Sequence, residues 1–501
     1  MTQGAAARDW FPLATLACVL PLVLATYPAM VDMPQHAAQV AAIRHLVTGD
    51  GWKFASFFEL QWLTPYLFGY LLALGLSFLV GVPLALKLVL AGAFVLFQFS
   101  GARLIRASRG DPAWRWLLLP LPFGLAYHWG FFNFLVAAPL GLLFLASVVE
   151  MNGRSDWKAC VRMSAWLHLL FIAHVLTAAF FSVAGILILA SPWKGVREWV
   201  RRCVPVLTIL PMAGIWFVSN LVNAPPEGEQ VLWNLGLNRL VDFLPGLVSS
   251  PDRFAGQLLG LFFLAVPFLL GGRPRRSIAA WMPFAFYVGW MLAFPHYLGG
   301  TFFTCERFGI FGIPLYLLGF EKRNADTPAP EYTRSLVPGL AIICLAMLGW
   351  QSLRVLTFNR EVAGYVEVMD KAGPGGRVLM MAFDPVSKAS SAPLLLHFSG
   401  WYQAERDGLS EYSFSGFWGV PARFRADAPT VISQGFEWHP DTFDWQDHRG
   451  DLFDYFLIRH PVNADTWIRE RTGGRAVLVA RSGEWQLYGR QQVAQSTRPQ
   501  P

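Results

Sequence analysis

The sequence predicts a polytopic α-helical membrane protein with a small C-terminal α/β domain. Three observations point there. Of 501 residues 54% are hydrophobic and only 15% charged, with mean hydropathy +0.40. The apolar residues gather into repeated runs of about bilayer length as far as residue 353, and beyond Arg354 charged residues, Gly and Pro become frequent while apolar runs shrink to strand length. A soluble chain could not bury so many long apolar runs, whereas a span of about 20 residues pairs its own backbone inside lipid. The 21 Trp and 13 Tyr agree, because amphipathic rings collect at headgroup level.

The first run, Trp10 to Ala29 after Arg8, looks like a secretion signal. It is nevertheless as long as a bilayer requires and many runs follow it, so it reads as an uncleaved first helix. Residues 30–62 form a polar outer-face loop in which Gln35 to Val47 patterns as a short amphipathic helix lying on the membrane surface. Two spans follow in 63–102, divided near Gly81-Val-Pro83, and two in 115–149, divided at Tyr127-His-Trp-Gly130. The stretch Ser164 to Ser191 is long for one helix and short for two. With further runs at 204–222, 256–272, 278–295, 307–320 and 335–353, the expected total is roughly 12 to 13 crossings.

Basic connections occur at Arg103/Arg106/Arg109, Arg154/Lys158/Arg162, Lys194/Arg197/Arg201/Arg202, Arg273/Arg275/Arg276 and Lys322/Arg323. The positive-inside rule makes all of them cytoplasmic and places segment 223–255, the stretch around His296 to Arg307 and everything after Arg354 outside. On this count the Arg103–Arg109 loop falls on the wrong face, so either one crossing is miscounted or that loop breaks the rule. In the C-terminal part, Arg377 to Phe383, Tyr455 to Arg459, Ala476 to Ala480 and Trp485 to Tyr488 read as strands, the last two joined in a hairpin at Arg481-Ser-Gly483. The expected organisation is a membrane domain over 1–353, an α/β domain over 354–490 and a disordered tail over 491–501.

The net charge of +7 fits basic cytoplasmic loops, and no Lys/Arg run with interleaved aromatics points to a nucleic acid, so none is expected as a partner. The five cysteines lie in or beside apolar segments with no CxxC pair and read as free thiols. The absence of P-loop, GxSxG and GxGxxG patterns disfavours nucleotide-driven transport, serine hydrolysis and dinucleotide redox chemistry. No Cys/His cluster has metal-ligand spacing. No cofactor is indicated, and a divalent metal is left open without support.

Eight positions stand out besides this frame. Asp32, in Tyr27-Pro-Ala-Met-Val-Asp32-Met-Pro-Gln-His36, lies just past the first span, where a half-desolvated carboxylate can accept a proton; its alternative role is to cap the helix that begins near Pro34. His36, one turn on, is placed to orient a phosphate or a sugar hydroxyl, or is simply a surface histidine. Glu306-Arg307 sits at the outer end of a late span, where the arginine suits a lipid phosphate, the alternatives being a Glu306–Arg307 pair or snorkelling. His168 and His174, six residues apart, cannot form an i, i+4 metal pair and read as cavity-lining. His128 and Asn133 read as helix-packing groups.

The arrangement of first span, acidic outer loop, many spans and outer α/β domain resembles the GT-C superfamily of integral-membrane glycosyltransferases. That superfamily includes bacterial polyprenyl-phosphate-sugar-dependent branches of the mannosyltransferase and aminoarabinose-transferase type. The strings carrying it are Asp32-Met-Pro-Gln-His36, Trp129-Gly-Phe-Phe-Asn-Phe-Leu135, His168-Leu-Leu-Phe-Ile-Ala-His174, Arg307-Phe-Gly-Ile-Phe, Asp454-Tyr-Phe-Leu-Ile-Arg459 and Glu484-Trp-Gln-Leu-Tyr488. The resemblance implies an inverting transfer from a polyprenyl-phosphate sugar to an envelope glycan, lipid or protein acceptor. It also implies a multi-pass protein of the bacterial inner membrane with a periplasmic C-terminal domain. Asp32 would be the general base, with Arg307, Glu306, His36, His168 and His174 around substrate or lipid phosphate. Many relatives carry two adjacent acids in the first loop; here Met33 follows Asp32, which points away from a metal-dependent member. The competing class is a transporter, or an envelope-assembly scaffold whose outer domain binds a glycan or partner. A transporter would place charges in mid-span, and only Lys87, near a span end, is evident, which favours the enzyme.

Overall fold

The fold is that of a computed structural model describing residues 9–151, 156–223, 231–248, 252–323, 333–417, 419–433 and 435–491. Arg154, part of segment 223–255 and the expected tail after Gln491 lie outside these residues. The chain packs into two units: Met1–Pro28, Trp62–Ala73 and Leu86–Val355 form one, and Ala29–Gln61, Leu74–Ala85 and Leu356–Pro501 the other. The outer loop thus groups with the C-terminal residues, not with the apolar bundle as the sequence suggested.

The first unit is helical. Among the described residues, Val82–Ala107, Phe132–Met151 and Ser335–Met369 are long and apolar enough to cross a membrane, and two bent pairs, Val196–Leu207 with Leu210–Ser219 and Leu237–Val248 with Arg253–Leu269, qualify if each counts as one broken span. Shorter apolar helices cover Phe11–Leu24, Leu67–Val80, Val175–Leu189 and Ile278–Ala293. At 1.5 Å per residue such helices reach only about 21–24 Å, less than a hydrocarbon core of about 30 Å. Among the described residues the helices that meet that length and composition number three, or five if each bent pair is one span, against the 12 to 13 crossings expected. Dividing apolar length by 20 assumes regular helix, and the chain departs from it at specific places. Pro112, Pro120 and Pro122 break the expected span after residue 115 into 3-10 turns at Pro112–Leu118 and Leu121–Phe123 and a short helix, Leu125–Trp129, stopped by Gly130 at φ 87°. The run at 307–320 is likewise a 3-10 turn, Glu306–Phe311, and a six-residue helix, Gly312–Leu317.

The wrong-face loop has a physical explanation. Lys87, near the start of Val82–Ala107, donates to the Ala25 carbonyl at 2.6 Å, so this helix begins at the end where the first passage finishes. Its other end carries Arg103, bound through two contacts of 2.9 and 2.8 Å to Glu150, which Arg162 also reaches. Arg115 pairs with Asp9. Tyr66, just before Leu67–Val80, packs edge-on to His174, at the far end of Trp157–Ala173 from Arg162. Leu67–Val80, 14 residues long, falls short of the length a crossing takes, and leaving it out of the count returns Arg103–Arg109 to the side of the other basic connections.

The break at Gly81 falls where the sequence placed it, with φ 77° between two helices. The run 164–191, long for one helix and short for two, is interrupted at His174, whose extended backbone separates Trp157–Ala173 from Val175–Leu189. Phe132–Met151 is apolar on every side, and 94% of its most apolar window is buried, as befits the helix around which a bundle packs. The boundary expected at Arg354 is mid-helix: Thr333–Met369 runs through it, because Arg354 is held by Gln351 one turn back and donates to His128 Nε2 at 3.2 Å.

The second unit holds a five-stranded sheet in the order Ala476–Ser482, Trp485–Arg490, Tyr455–Arg459, Arg377–Ala382, Leu409–Ser410. Arg377–Ala382 is an interior strand, parallel to both neighbours and buried along its whole length, which explains its unbroken apolar run. Ala476–Ser482 is the edge strand; it is largely exposed and irregular between Leu478 and Ala480. The hairpin turns at Gly483, φ 56°. One face packs a core of Leu379, Met381, Phe443, Phe453, Phe456 and Ile458.

The helix Met33–Thr48 also belongs here, and it is not a surface helix. Met33 to Ile43 are all buried. Gln35 and Gln39, one turn apart and almost wholly buried, grip the loop ahead of Ala422: Gln35 donates to Tyr412 O at 3.1 Å and accepts from Phe414 N at 3.0 Å, while Gln39 donates to Ser415 Oγ and Ala422 O and accepts from Ala422 N. The polar positions that resembled a solvent-facing side are satisfied by protein. Gly400 lies so near this helix that a Cβ there would stand 2.3 Å from the Pro34 carbonyl oxygen.

Candidate active site

Pro34 fixes the first turn of Met33–Thr48, and Asp32 occupies the N-cap position with φ −91° and ψ −3°. Its backbone carbonyl accepts from His36 N at 3.1 Å, but its side chain makes no capping bond. The capping role that the sequence allowed is therefore not what holds this carboxylate. Instead Oδ1 lies 3.7 Å from His397 Nε2, with the Asp32 side chain 17% exposed and that of His397 6%.

His397 stacks on Tyr412, ring centroids 4.9 Å apart and 8° from parallel. Its ring and that of His36 both lie edge-on to Phe414, at 6.3 and 5.6 Å. Tyr412 hydrogen-bonds the Glu437 carboxylate, which also accepts from Gly435 N at 2.9 Å. Burial depresses the His397 imidazole to about 3, so it is neutral at any working pH. Burial also raises the Tyr412 phenol, assisted by Glu437 and Asp32, and raises the Glu437 carboxyl. The result is a mostly buried cluster in which a neutral imidazole and a phenol stand beside the Asp32 and Glu437 carboxyls.

In the helical unit, Arg307 is 4% exposed, which excludes snorkelling. Its Nε donates to Phe303 O at 3.0 Å, Nη2 donates to Phe302 O, and the guanidinium lies 3.9 Å over the Phe131 ring. The expected alternative pairing with Glu306 does not form: Glu306 Oε1 meets His296 Nδ1 at 2.7 Å. His174 is buried between Tyr66 and Phe134 and caps Val175–Leu189 by accepting from Thr177 N at 3.3 Å. His168 binds the Ser164 carbonyl one turn back at 2.8 Å and is half-buried. Thus His174 serves its own helix break, and His168 its own helix, before any cavity. Asp32 and His36 belong to one unit and Arg307, Glu306, His168 and His174 to the other.

Sequence reasoning missed His397, Tyr412 and Glu437. His397 ends the apolar run Leu394-Leu-Leu-His397-Phe and carries no motif. A faint signal existed, since an imidazole inside an otherwise buried run needs a partner.

No known family profile matches the chain, and no curated protein matches it by sequence. Solved structures do match. The cryo-EM structure of the arabinofuranosyltransferase AftD from Mycobacteria superposes with a TM-score of 0.55 at 14% identity over 98% of this chain, which spans 40% of the length of that protein. The crystal structure of ArnT from Cupriavidus metallidurans bound to undecaprenyl phosphate gives a TM-score of 0.51 at 13% identity, covering 99% of this chain and 100% of ArnT. The likeness runs end to end, through the apolar helices and the sheet-bearing C-terminal part alike. The protein has a GT-C-like membrane fold.

Proposed function

We propose that the protein is an inverting glycosyltransferase. It moves a sugar from a polyprenyl-phosphate donor to an envelope glycan, lipid or protein acceptor at the periplasmic face of the bacterial inner membrane, with the C-terminal sheet on that side. The observation that carries the reading is Asp32: a carboxylate at the head of the first polar loop, relieved of capping and half-shielded from water, in a chain whose fold matches ArnT bound to undecaprenyl phosphate. As the acceptor hydroxyl oxygen attacks the anomeric carbon, its proton passes to Asp32. The carbon–oxygen bond to phosphate breaks on the opposite face, and the phosphate leaves with the electron pair. A partly desolvated acid suits that proton transfer.

The test is transfer of radiolabelled sugar from a panel of polyprenyl-phosphate sugars by purified protein. Asp32→Asn is nearly isosteric, and the Asp32 side chain makes no cap to lose, so the variant should fold and insert normally. Loss of a general base should lower the rate by about 10²–10⁴. Transfer within a few-fold of wild type would remove Asp32 from the reaction and with it this reading.

A further inference from the structure

The C-terminal residues contribute His397 to the Asp32 carboxylate, a contact between positions 365 residues apart in the chain. Its geometry is one-sided. His397 Nδ1 is buried with no hydrogen-bond partner among the described residues, while Nε2 faces Asp32 Oδ1. Stacking on Tyr412 fixes the plane of the ring. Of the two neutral tautomers, protonation at Nδ1 would bury an unmatched N–H and set the Nε2 lone pair against the carboxylate, and both cost free energy. Protonation at Nε2 directs the N–H to Oδ1 and leaves Nδ1 as a bare acceptor, the cheaper defect. At 3.7 Å the contact is longer than a hydrogen bond; catalytic hydrogen bonds are often long in a free enzyme and tighten in the reacting complex.

From this we infer that His397 is a positioning residue for Asp32: an Nε2–H donor that orients the carboxylate through Oδ1. The inference rests on the proposed role of Asp32. His397 does not take the abstracted proton, because its own basicity is too low. The other titratable groups around the pair are His36 from the Met33–Thr48 helix, Tyr412 beside the Leu409–Ser410 strand, and Glu437 bonded to Tyr412. Glu411, next to Tyr412, is already bound by Arg377 at 2.7 Å, and Asp384 by Arg459 at 3.3 Å. His397 is thus the neutral donor that meets Asp32.

A donor to a carboxylate stabilises its ionised form, so removing the donor must make Asp32 easier to protonate. The experiment uses full-length protein in detergent with dicyclohexylcarbodiimide, which modifies protonated carboxyls, and reads labelling of the Asp32 peptide by mass against pH; Asp32→Asn supplies the blank. In His397→Phe, which keeps the stack on Tyr412, the labelling midpoint should rise by about one to two pH units, a tenfold to hundredfold gain in proton affinity. In His397→Gln, which keeps an N–H at similar reach, it should stay near wild type. An unmoved midpoint in His397→Phe, or a Gln variant that shifts as far as Phe, would overturn the inference. Should Phe fail to fold, the Gln variant still decides, since a full shift there is fatal. No sugar is involved, so this result stands apart from the transfer assay with Asp32→Asn.

Discussion

Both units bury arginines, and they treat the charge in opposite ways. In the sheet-bearing unit the charge is cancelled on the spot. Arg377 meets Glu411 at 2.7 Å with that carboxylate wholly buried, and Arg459 lies between Glu484 at 2.5 Å and Asp384 at 3.3 Å. In the helical unit two carbonyl oxygens and the face of Phe131 are among the groups that orient Arg307. The first arrangement ties strands and loops of the sheet together through ion pairs. The second fixes the plane of a guanidinium on backbone and an aromatic face.

The comparison can be broken first at Arg377. Replacing Glu411 with Gln strands a buried cation, and the expected loss is about 3–5 kcal/mol of stability, read as a large drop in the unfolding midpoint of the purified full-length protein. A midpoint like that of wild type would mean the pair is solvated and the contrast with Arg307 false. Next comes Arg307→Ala, expected to cost about 1.5–3 kcal/mol, tenfold to a hundredfold, in use of the polyprenyl-phosphate donor, with Lys restoring only part because it lacks the planar fork. Donor titrations unchanged in the alanine variant would make Arg307 a structural cation like the other two. The smallest effect is expected at His174. Its ring caps Val175–Leu189, so His174→Ala should lower stability by about 1 kcal/mol in equilibrium unfolding in mixed micelles, while Asn, a good cap, should recover most of it. If Asn fares no better than Ala, the capping account of His174 is wrong.

What the sequence made legible follows from which forces are local. Breaks governed by backbone geometry, such as Gly81, were readable, as were strands governed by apolar runs: Tyr455–Arg459 falls where expected, and Arg377–Ala382 ends one residue early. Counting crossings failed because hydropathy measures apolar length and not path, so the short Leu67–Val80 helix looked like a span. The Gln35 to Val47 segment looked amphipathic because Gln35 and Gln39 are polar; their partners lie almost 400 residues later in the sequence, where no local pattern can show them. The same distance hid His397. Asp32 was visible because its significance depends on the neighbouring apolar run alone.

The absence of a side chain at Gly400 acts as a mechanical stop. The helix carrying it rests directly on the backbone of Pro34, two residues from Asp32, and His397 lies three residues before the same glycine. A single methyl group would wedge the two segments apart beside Pro34, at the end nearer a contact already at 3.7 Å. The tolerance of the acid–imidazole alignment is therefore set by a hydrogen atom, at a position that itself touches neither group's chemistry.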